Sequence, residues 1–205
     1  ALNSINMQPL AERMRPRSLS EYIGQKHIIG EGSALHSAIK QNLLPSIIFW
    51  GPPGVGKTSL AHIIASELKR PFFMLSAINS GVKEIREVIE RAGDNNLFNR
   101  DRPVLFIDEI HRFSKSQQDS LLNAVEKGTI TLIGATTENP SFEVISALLS
   151  RCQVYVLKHL HETELLALLK RATTEDELLR SKKIRLEEHE ALLKVSGGDA
   201  RKLLN

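Results

Sequence analysis

Cysteine is nearly absent: Cys152 is the only one in 205 residues. It can form no disulfide within the chain, and such sparing use fits a reducing compartment. Long apolar runs are missing too. None approaches the roughly 20 residues of a membrane-spanning helix, and the N-terminus carries no secretory pattern. A cytoplasmic address with no membrane partner is therefore expected. The seven histidines and the lone cysteine include no pair at metal-site spacing in a suitable context, so no zinc centre is expected. There are no internal repeats and no low-complexity tract. Charge of one sign is also scarce. A net charge of +3 and a pI of about 9.0 lean towards a polyanionic partner but are too slight to argue nucleic acid alone. What remains is ordinary for a globular protein: 41% hydrophobic and 25% charged residues, enough for one substantial core and a small second domain.

One stretch organises the rest: Trp50-Gly51-Pro52-Pro53-Gly54-Val55-Gly56-Lys57-Thr58-Ser59. It follows Ile47-Ile48-Phe49, an apolar run that reads as a buried strand, and it opens onto Leu60, Ile63, Ile64 and Leu68 at helical spacing. Gly51 to Thr58 matches G-x-x-x-x-G-K-[ST] in the strand–loop–helix context that the motif requires. Its glycines let backbone N–H groups turn inward around a phosphate, and the helix N-terminus adds its positive end. Lys57 would reach the β- and γ-phosphates, and the Thr58 hydroxyl would ligate Mg²⁺. A plain glycine turn has no use for a Lys-Thr pair at its exit, so the pattern implies a nucleoside triphosphate site.

Read in order, residues 1–22 are polar, carry Arg13, Arg15, Pro16 and Arg17, and predict an irregular arm. Tyr22-Ile23-Gly24-Gln25 follows, with Gly24 suggesting a turn whose backbone is open to a ligand. A short helix is expected over Ser33 to Leu43, with Leu35, Ile39 and Leu43 on one face. Phe72 to Leu75 reads as a second strand, and Val82, Ile85, Ile89 and Ala92 as one face of an amphipathic helix. Its charges most simply face solvent.

Val104-Leu105-Phe106-Ile107 then reads as a buried strand ending in Asp108-Glu109, the Walker B pattern. A carboxylate at that strand end is expected beside the phosphate loop of a neighbouring parallel strand. Asp108 can hold Mg²⁺ or its water shell, and Glu109 can orient and deprotonate a water. Ser114-Lys115-Ser116-Gln117 has the form of a capping box opening a helix with Leu121, Leu122 and Val125, stopped at Gly128. Ile130 to Gly134 is another strand, delivering Thr136, Thr137, Glu138 and Asn139. These polar residues can reach a γ-phosphate, or Asn139-Pro140 can simply make a turn. A brief helix is expected over Val144 to Leu149, then Ser150-Arg151-Cys152 and a last strand, Val154 to Val156.

From about residue 159 the pattern becomes leucine-rich charged helix. Leu165, Leu166, Leu168, Leu169 and Ala172 form one helix, and His189 to Val195 another, ended by Gly197-Gly198. Asp199 reads as the N-cap of a final helix carrying Arg201. The expected architecture is α/β: a P-loop parallel sheet with helices on both faces over residues 1–157, then a small all-α lid over 158–205.

Taken together, these segments resemble an AAA+ ATPase. Ser150-Arg151-Cys152 is similar to the Ser-Arg-Cys motif of clamp-loader subunits, and Gly198-Asp199-Ala200-Arg201 to the sensor-2 motif of the same clade. Three segments are more specific: Pro9-Leu10-Ala11-Glu12-Arg13-Met14-Arg15-Pro16, Ser80-Gly81-Val82-Lys83-Glu84-Ile85-Arg86 and Gly134-Ala135-Thr136-Thr137-Glu138-Asn139-Pro140-Ser141-Phe142-Glu143. They resemble the replication-associated recombination protein A family, also called MgsA and related to the Werner helicase-interacting protein. The resemblance runs from Pro9 to Asn205.

That resemblance implies further roles. Arg151 would be an arginine finger acting on ATP held by a neighbouring subunit. Thr137 would be sensor 1, or Thr136 if the register shifts by one. Arg201 would be sensor 2, and Arg15, Pro16, Ile23 and Gly24 would hold adenine and ribose. Each arginine could instead be a surface ion-pair partner. The implied activity is hydrolysis of ATP with Mg²⁺, stimulated by DNA in an oligomer, at stalled or gapped replication forks in recombination and repair. Implied partners are single-stranded or forked DNA, further copies of the chain, single-stranded DNA-binding protein and other replication factors, at a nucleoid-associated cytoplasmic address. Family members continue past the position of Asn205 into an oligomerising region, so a chain truncated in its lid is expected.

Other readings compete. A clamp-loader subunit or a Holliday-junction branch-migration motor keeps the enzyme and changes the task; the Arg13-Met14-Arg15 and Thr137-Glu138-Asn139-Pro140 segments disfavour it. Asp108-Glu109-Ile110-His111 fits the DExH box of superfamily 2 helicases, but those need two ATPase lobes and this chain has one phosphate loop. A non-hydrolysing adaptor is disfavoured by the presence of both Asp108 and Glu109.

Overall fold

In the computed structural model, which describes residues 8–96 and 102–205, five parallel strands form one sheet: β1 (Ser46–Trp50), β2 (Phe72–Ser76), β3 (Val104–Asp108), β4 (Thr131–Thr136) and β5 (Cys152–Val156). Their order across the sheet is β2-β3-β4-β1-β5. Every pairing is parallel, with Ile47 opposite both Ile133 and Gln153, and Phe106 opposite both Met74 and Ile133. β3 is thus not the immediate neighbour of β1, as the strand-end carboxylates had suggested. β4 intervenes, so Thr136 ends between the two motif-bearing strands.

Period-two alternation sends side chains to two cores. Ile47, Phe49, Val104, Phe106, Ile133 and Ala135 pack against α3 (Ala34–Lys40) and α4 (Lys57–Glu67). Ile48, Leu105, Ile107 and Leu132 face the other way, against α5 (Val82–Asn96), α6 (Lys115–Lys127) and α8 (Ser146–Leu149). Strands covered on both faces read as continuous apolar runs, which is why β1, β3 and β4 stand out in the sequence. At the sheet edge, burial pushes the Cys152 thiol up to about 12, making it a small apolar side chain rather than a nucleophile.

Several local expectations are corrected. The arm is irregular over most of its described length, but Leu10–Arg13 forms the short helix α1, and Tyr22 at its end is buried rather than part of a polar surface. Residues 1–7 of that expected arm lie outside the described residues. α2 spans Lys26–Ile29. α3 ends at Lys40, and Leu43 is 69% exposed rather than on the helix's apolar face. The helix expected over Val144 to Leu149 is shorter, α8 beginning only at Ser146, and a separate α7 (Pro140–Glu143) precedes it, with Val144 and Ile145 breaking the two apart. Gln118 explains the break. Its buried side chain donates to the Glu143 carbonyl at 2.9 Å and accepts from Ile145 N–H at 2.8 Å, taking backbone groups that a continuous helix would pair internally. Ser114 and Gln117 do form the capping box, and Gly128 ends α6 at φ 69°.

After β5 come α9 (Glu162–Glu175), α10 (Glu177–Ser181), α11 (Glu190–Ser196) and α12 (Ala200–Leu204). Leu160, Leu165, Leu168, Leu169 and Leu203 form their core. α10 was not anticipated from the sequence. No helix among the described residues is long and apolar enough to cross a membrane.

The N-terminal segment ties this helical unit to the sheet. Gln25 uses both ends of its amide on Lys158, donating to its carbonyl at 2.7 Å and accepting from its N–H at 3.0 Å. Arg13 makes a two-pronged pair with the buried Asp176, at 2.8 and 3.1 Å. The hydrogen bond from Arg13 holds the Asp176 carboxyl below the usual carboxylate range, against the opposing effect of burial. Because the folded value is depressed, that stabilisation is present above the ordinary carboxylate range and is lost as pH falls through the depressed value. Removing either partner would leave a charge buried and uncompensated.

Candidate nucleotide-binding site

The sheet's C-terminal edge and the helical unit enclose a cavity of about 250 Å³. Its lining joins four separate parts of the sequence. Pro53 to Ser59 come from the phosphate loop, Asp108 and Glu109 from the end of β3, Thr137 from the end of β4, and Arg201 from α12. Arg15, Pro16, Tyr22 and Ile23 close it on the N-terminal side, and Leu160, Leu168 and Arg171 on the other.

Each side chain arrives for a local reason. Gly56, at φ 95°, is the N-cap of α4 and has no side chain to cap it, so the first N–H groups of that helix are left for a ligand. Gly54 accepts a bond from Ala200 N–H at 2.9 Å through its carbonyl. A Cβ there would lie 1.7 Å from Asp199 Oδ1. The glycine is therefore needed for docking α12 as well as for the loop's turn. Asp199 in turn caps α12, accepting from Arg201 N–H at 2.8 Å and Lys202 N–H at 3.1 Å, and so fixes where Arg201 emerges.

Lys57 folds back along the loop. Its Nζ donates to the carbonyls of Gly51 at 2.6 Å and Pro52 at 2.8 Å, although neither of those residues lines the cavity. Burial lowers the Lys57 ammonium to about 8; nearby Asp108 and Asp199 oppose that shift, and Arg201 adds to it. Phosphate in the cavity would favour the charged form and restore the higher value. Binding then takes up a proton once the free ammonium has begun to deprotonate. Affinity for ADP is accordingly expected to fall as pH rises above about 8, with proton uptake that calorimetry in buffers of different ionisation enthalpy would detect. Affinity unchanged from pH 7 to 9.5 would count against a role for Lys57 in phosphate binding.

At the end of β3, the Asp108 carboxylate accepts from Glu109 N–H at 3.0 Å. Glu109 itself sits in left-handed backbone, φ 51°, an uncommon place for a residue with a side chain. This turn brings two consecutive carboxylates to one cavity. Glu109 pairs with Arg112 at 3.3 Å on the exposed side. Asp108 and the Thr58 hydroxyl are hard oxygen donors lining the same cavity, the set that suits Mg²⁺.

The two threonines divide. Thr136 is buried, its Oγ1 within 3.0 Å of His111 Nδ1 and also accepting from Glu138 N–H. Thr137 is exposed and lines the cavity. Asn139 caps α7 by accepting from Ser141 N–H at 3.0 Å, in keeping with the plainer of its two readings. Gly24 lies beside the cavity rather than in its lining: φ is 91°, and a Cβ would meet Leu160 at 2.6 Å. Arg151 stands apart altogether. It is exposed, pairs with Glu126 on α6 at 2.5 Å and donates to the Ala147 carbonyl at 2.6 Å.

Sequence reasoning missed Tyr22, Arg171 and the wall formed by Leu160 and Leu168. Arg171 pairs with Glu175 at 2.8 Å and donates to the Glu21 carbonyl at 2.6 Å, so in the sequence it passes for a surface i,i+4 partner. Only the fold brings it to the cavity.

A family model described as the ATPase family associated with various cellular activities matches residues 47–160. Replication-associated recombination protein A of Haemophilus influenzae is 51% identical over 200 residues, covering 96% of this chain and 45% of that protein. Its namesake from Escherichia coli K12 is 52% identical, covering 97% and 45%. Among solved structures, the Thermotoga maritima RuvB Holliday junction branch migration motor superposes with a TM-score of 0.75 at 33% identity, over 93% of this chain and 63% of that one. The chain spans about half the length of the curated relatives it matches. With the phosphate loop, the paired carboxylates and the α12 arginine around one cavity, these likenesses establish that the chain belongs to the AAA family of ATPases, in the branch of replication-associated recombination protein A.

Proposed function

We propose that this chain is the ATP-hydrolysing part of a protein that acts on DNA at stalled or gapped replication forks, in recombination and repair. The observation that carries the proposal is the convergence of the phosphate loop, Asp108, Glu109, Thr137 and Arg201 on one cavity. Likeness at about half identity to two proteins named for replication-associated recombination supplies the DNA context. The chain divides near residue 157 into nucleotide-binding and lid parts, and it works as an oligomer in the cytoplasm.

In this reading the amides of Val55 to Ser59 and the Lys57 ammonium hold the phosphates. Arg15, Pro16 and Ile23 hold the base and ribose, with Gly24 shaping their turn. Asp108 and Thr58 hold Mg²⁺, which when bound offsets phosphate charge. Glu109 accepts a proton from the attacking water, Thr137 orients that water, and Arg201 carries the nucleotide state to the lid. Leu160, Leu168 and Arg171 exclude solvent on the lid side. Arg151, turned away from its own cavity, acts on the nucleotide of a neighbouring copy.

ATP hydrolysis by the whole protein, measured without DNA and with single-stranded, forked and gapped DNA, tests the proposal. A several-fold rise with forked or gapped DNA is expected. A rate indifferent to all three DNAs would overturn the DNA-linked part. The likeness to RuvB favours a second reading, a Holliday-junction motor, as a matter of fold only. Processive branch migration by the purified protein would favour that reading over the first.

A further inference from the structure

Tyr22 has no assigned part in the chemistry of the site, yet its hydroxyl reaches two carbonyls of the phosphate loop. The ring is 9% exposed and packs in the same core as Val55, Leu60 and Ile64. Its hydroxyl lies 3.0 Å from the Val55 carbonyl and 3.2 Å from the Gly56 carbonyl. Tyr22 comes from the N-terminal segment, more than thirty residues away in sequence, so nothing in the loop itself supplies this partner.

The consequence follows from the planarity of the peptide unit. In a trans peptide the C=O and N–H point in opposite directions. The Val55 carbonyl shares its plane with Gly56 N–H, and the Gly56 carbonyl shares its plane with Lys57 N–H. Holding both carbonyls on the Tyr22 side turns both N–H groups the other way. The Gly56 carbonyl is also held by Leu60 N–H at 2.9 Å, the first hydrogen bond of α4. For the Val55 carbonyl the phenol hydrogen is the donor at hand, and a buried carbonyl left short of partners favours a flipped peptide. Gly56 fits the same arrangement: a Cβ on it would lie 2.6 Å from the Tyr22 hydroxyl oxygen.

We infer that Tyr22 is a positioning residue for the phosphate cradle, its hydroxyl fixing the Val55–Gly56 peptide so that the Gly56 N–H is pre-aimed at bound phosphate. The inference rests on the proposed nucleotide site and adds to it a residue that acts through the loop rather than by touching the reacting atoms.

Tyr22→Phe keeps the ring and removes only the donor. ADP and adenosine are the probes, because only ADP carries phosphate. Calorimetry is expected to find the variant's affinity for ADP reduced about tenfold, with adenosine affinity changed less than twofold and the melting temperature lowered by only a few degrees. A general loosening of the fold would weaken both ligands, and loss of a base contact would weaken adenosine as much as ADP; either pattern overturns the inference. Equal ADP affinity in the variant and the unsubstituted chain overturns it too, whereas failure of the unsubstituted chain to bind ADP would bring down the site reading itself.

Should Tyr22→Phe not fold, the hydroxyl can be followed in place. Tyr155→Phe leaves Tyr22 as the sole tyrosine. Its alkaline absorbance titration is expected to stay silent well past the ordinary phenol value of about 10, because burial holds the hydroxyl in its protonated, donating form. Ionisation at the ordinary value would mean that the hydroxyl is not engaged, and the inference would fall.

Discussion

Lys57→Ala is expected to weaken ATP binding about 10- to 100-fold, the range for losing a hydrogen bond to a charged group, and turnover should fall with it. Glu109→Gln is expected to leave ATP affinity within about twofold while lowering kcat by two to four orders of magnitude, the usual contribution of a positioned general base. The difference follows from what each proposed partner touches. Lys57 neutralises phosphate charge that exists before any bond breaks. Glu109 acts on a proton that leaves only as the attacking oxygen commits, so its effect is confined to the transition state. Gln is the right replacement because it keeps the size of the side chain at a strained φ of 51°. The pair with Arg112 at 3.3 Å is lost as well, but that pair is solvent-exposed and worth little. Binding by titration calorimetry and turnover by phosphate release separate the two variants; equal losses of binding would show the assigned roles to be wrong.

Much of this architecture could be read from the sequence, and the reason is local. β1, β3 and β4 are covered on both faces, so each is centred on consecutive apolar residues rather than on an alternating pattern. The phosphate loop, the Asp108-Glu109 turn and the Ser114 capping box are contiguous, and contiguous geometry leaves contiguous patterns. The sensor register illustrates the limit. Thr136 and Thr137 are equivalent as letters, and only their environments separate them, one buried against His111 and the other open to the cavity.

What escaped depends on residues far apart in the chain. Arg13 and Asp176 are 163 positions apart, and neither looks unlike a surface charge until the helical unit folds back over the N-terminal segment. Gln118 divides α7 from α8 through its side-chain amide, a tertiary effect that no helical periodicity over Val144 to Leu149 could contain. Tyr22 sits in a segment that looks polar and irregular, and its partners appear only once the phosphate loop is laid beside it. Leu43 failed in the opposite way: its spacing fits the helix face, but α3 stops at Lys40 before reaching it.

Arg151→Ala carries the second large expectation, a loss of about 10³- to 10⁵-fold in kcat with ATP affinity nearly unchanged. Charge that develops on the γ-phosphoryl oxygens needs a cation placed for the transition state. Arg151 cannot serve its own cavity in the geometry observed, where Glu126 and the Ala147 carbonyl hold its guanidinium on the outer surface. Both side chains of that ion pair are about 40% exposed, so its strength is modest and an incoming phosphate can replace it. A chain that does not assemble should therefore bind ATP and turn it over very slowly. Specific activity should rise with protein concentration until assembly is complete.

The claim that hydrolysis is shared between two copies is tested most directly by mixing Lys57→Ala with Arg151→Ala. With ATP kept well below what Lys57→Ala can bind, each variant is expected to be nearly inactive alone. In a mixed assembly some interfaces join an intact phosphate loop to an intact arginine, so phosphate release should recover to a fraction of the unsubstituted rate that depends on the mixing ratio. Native mass spectrometry of the same samples establishes whether mixed oligomers are present. If they form and the mixture stays inactive at every ratio, Arg151 does not act across an interface.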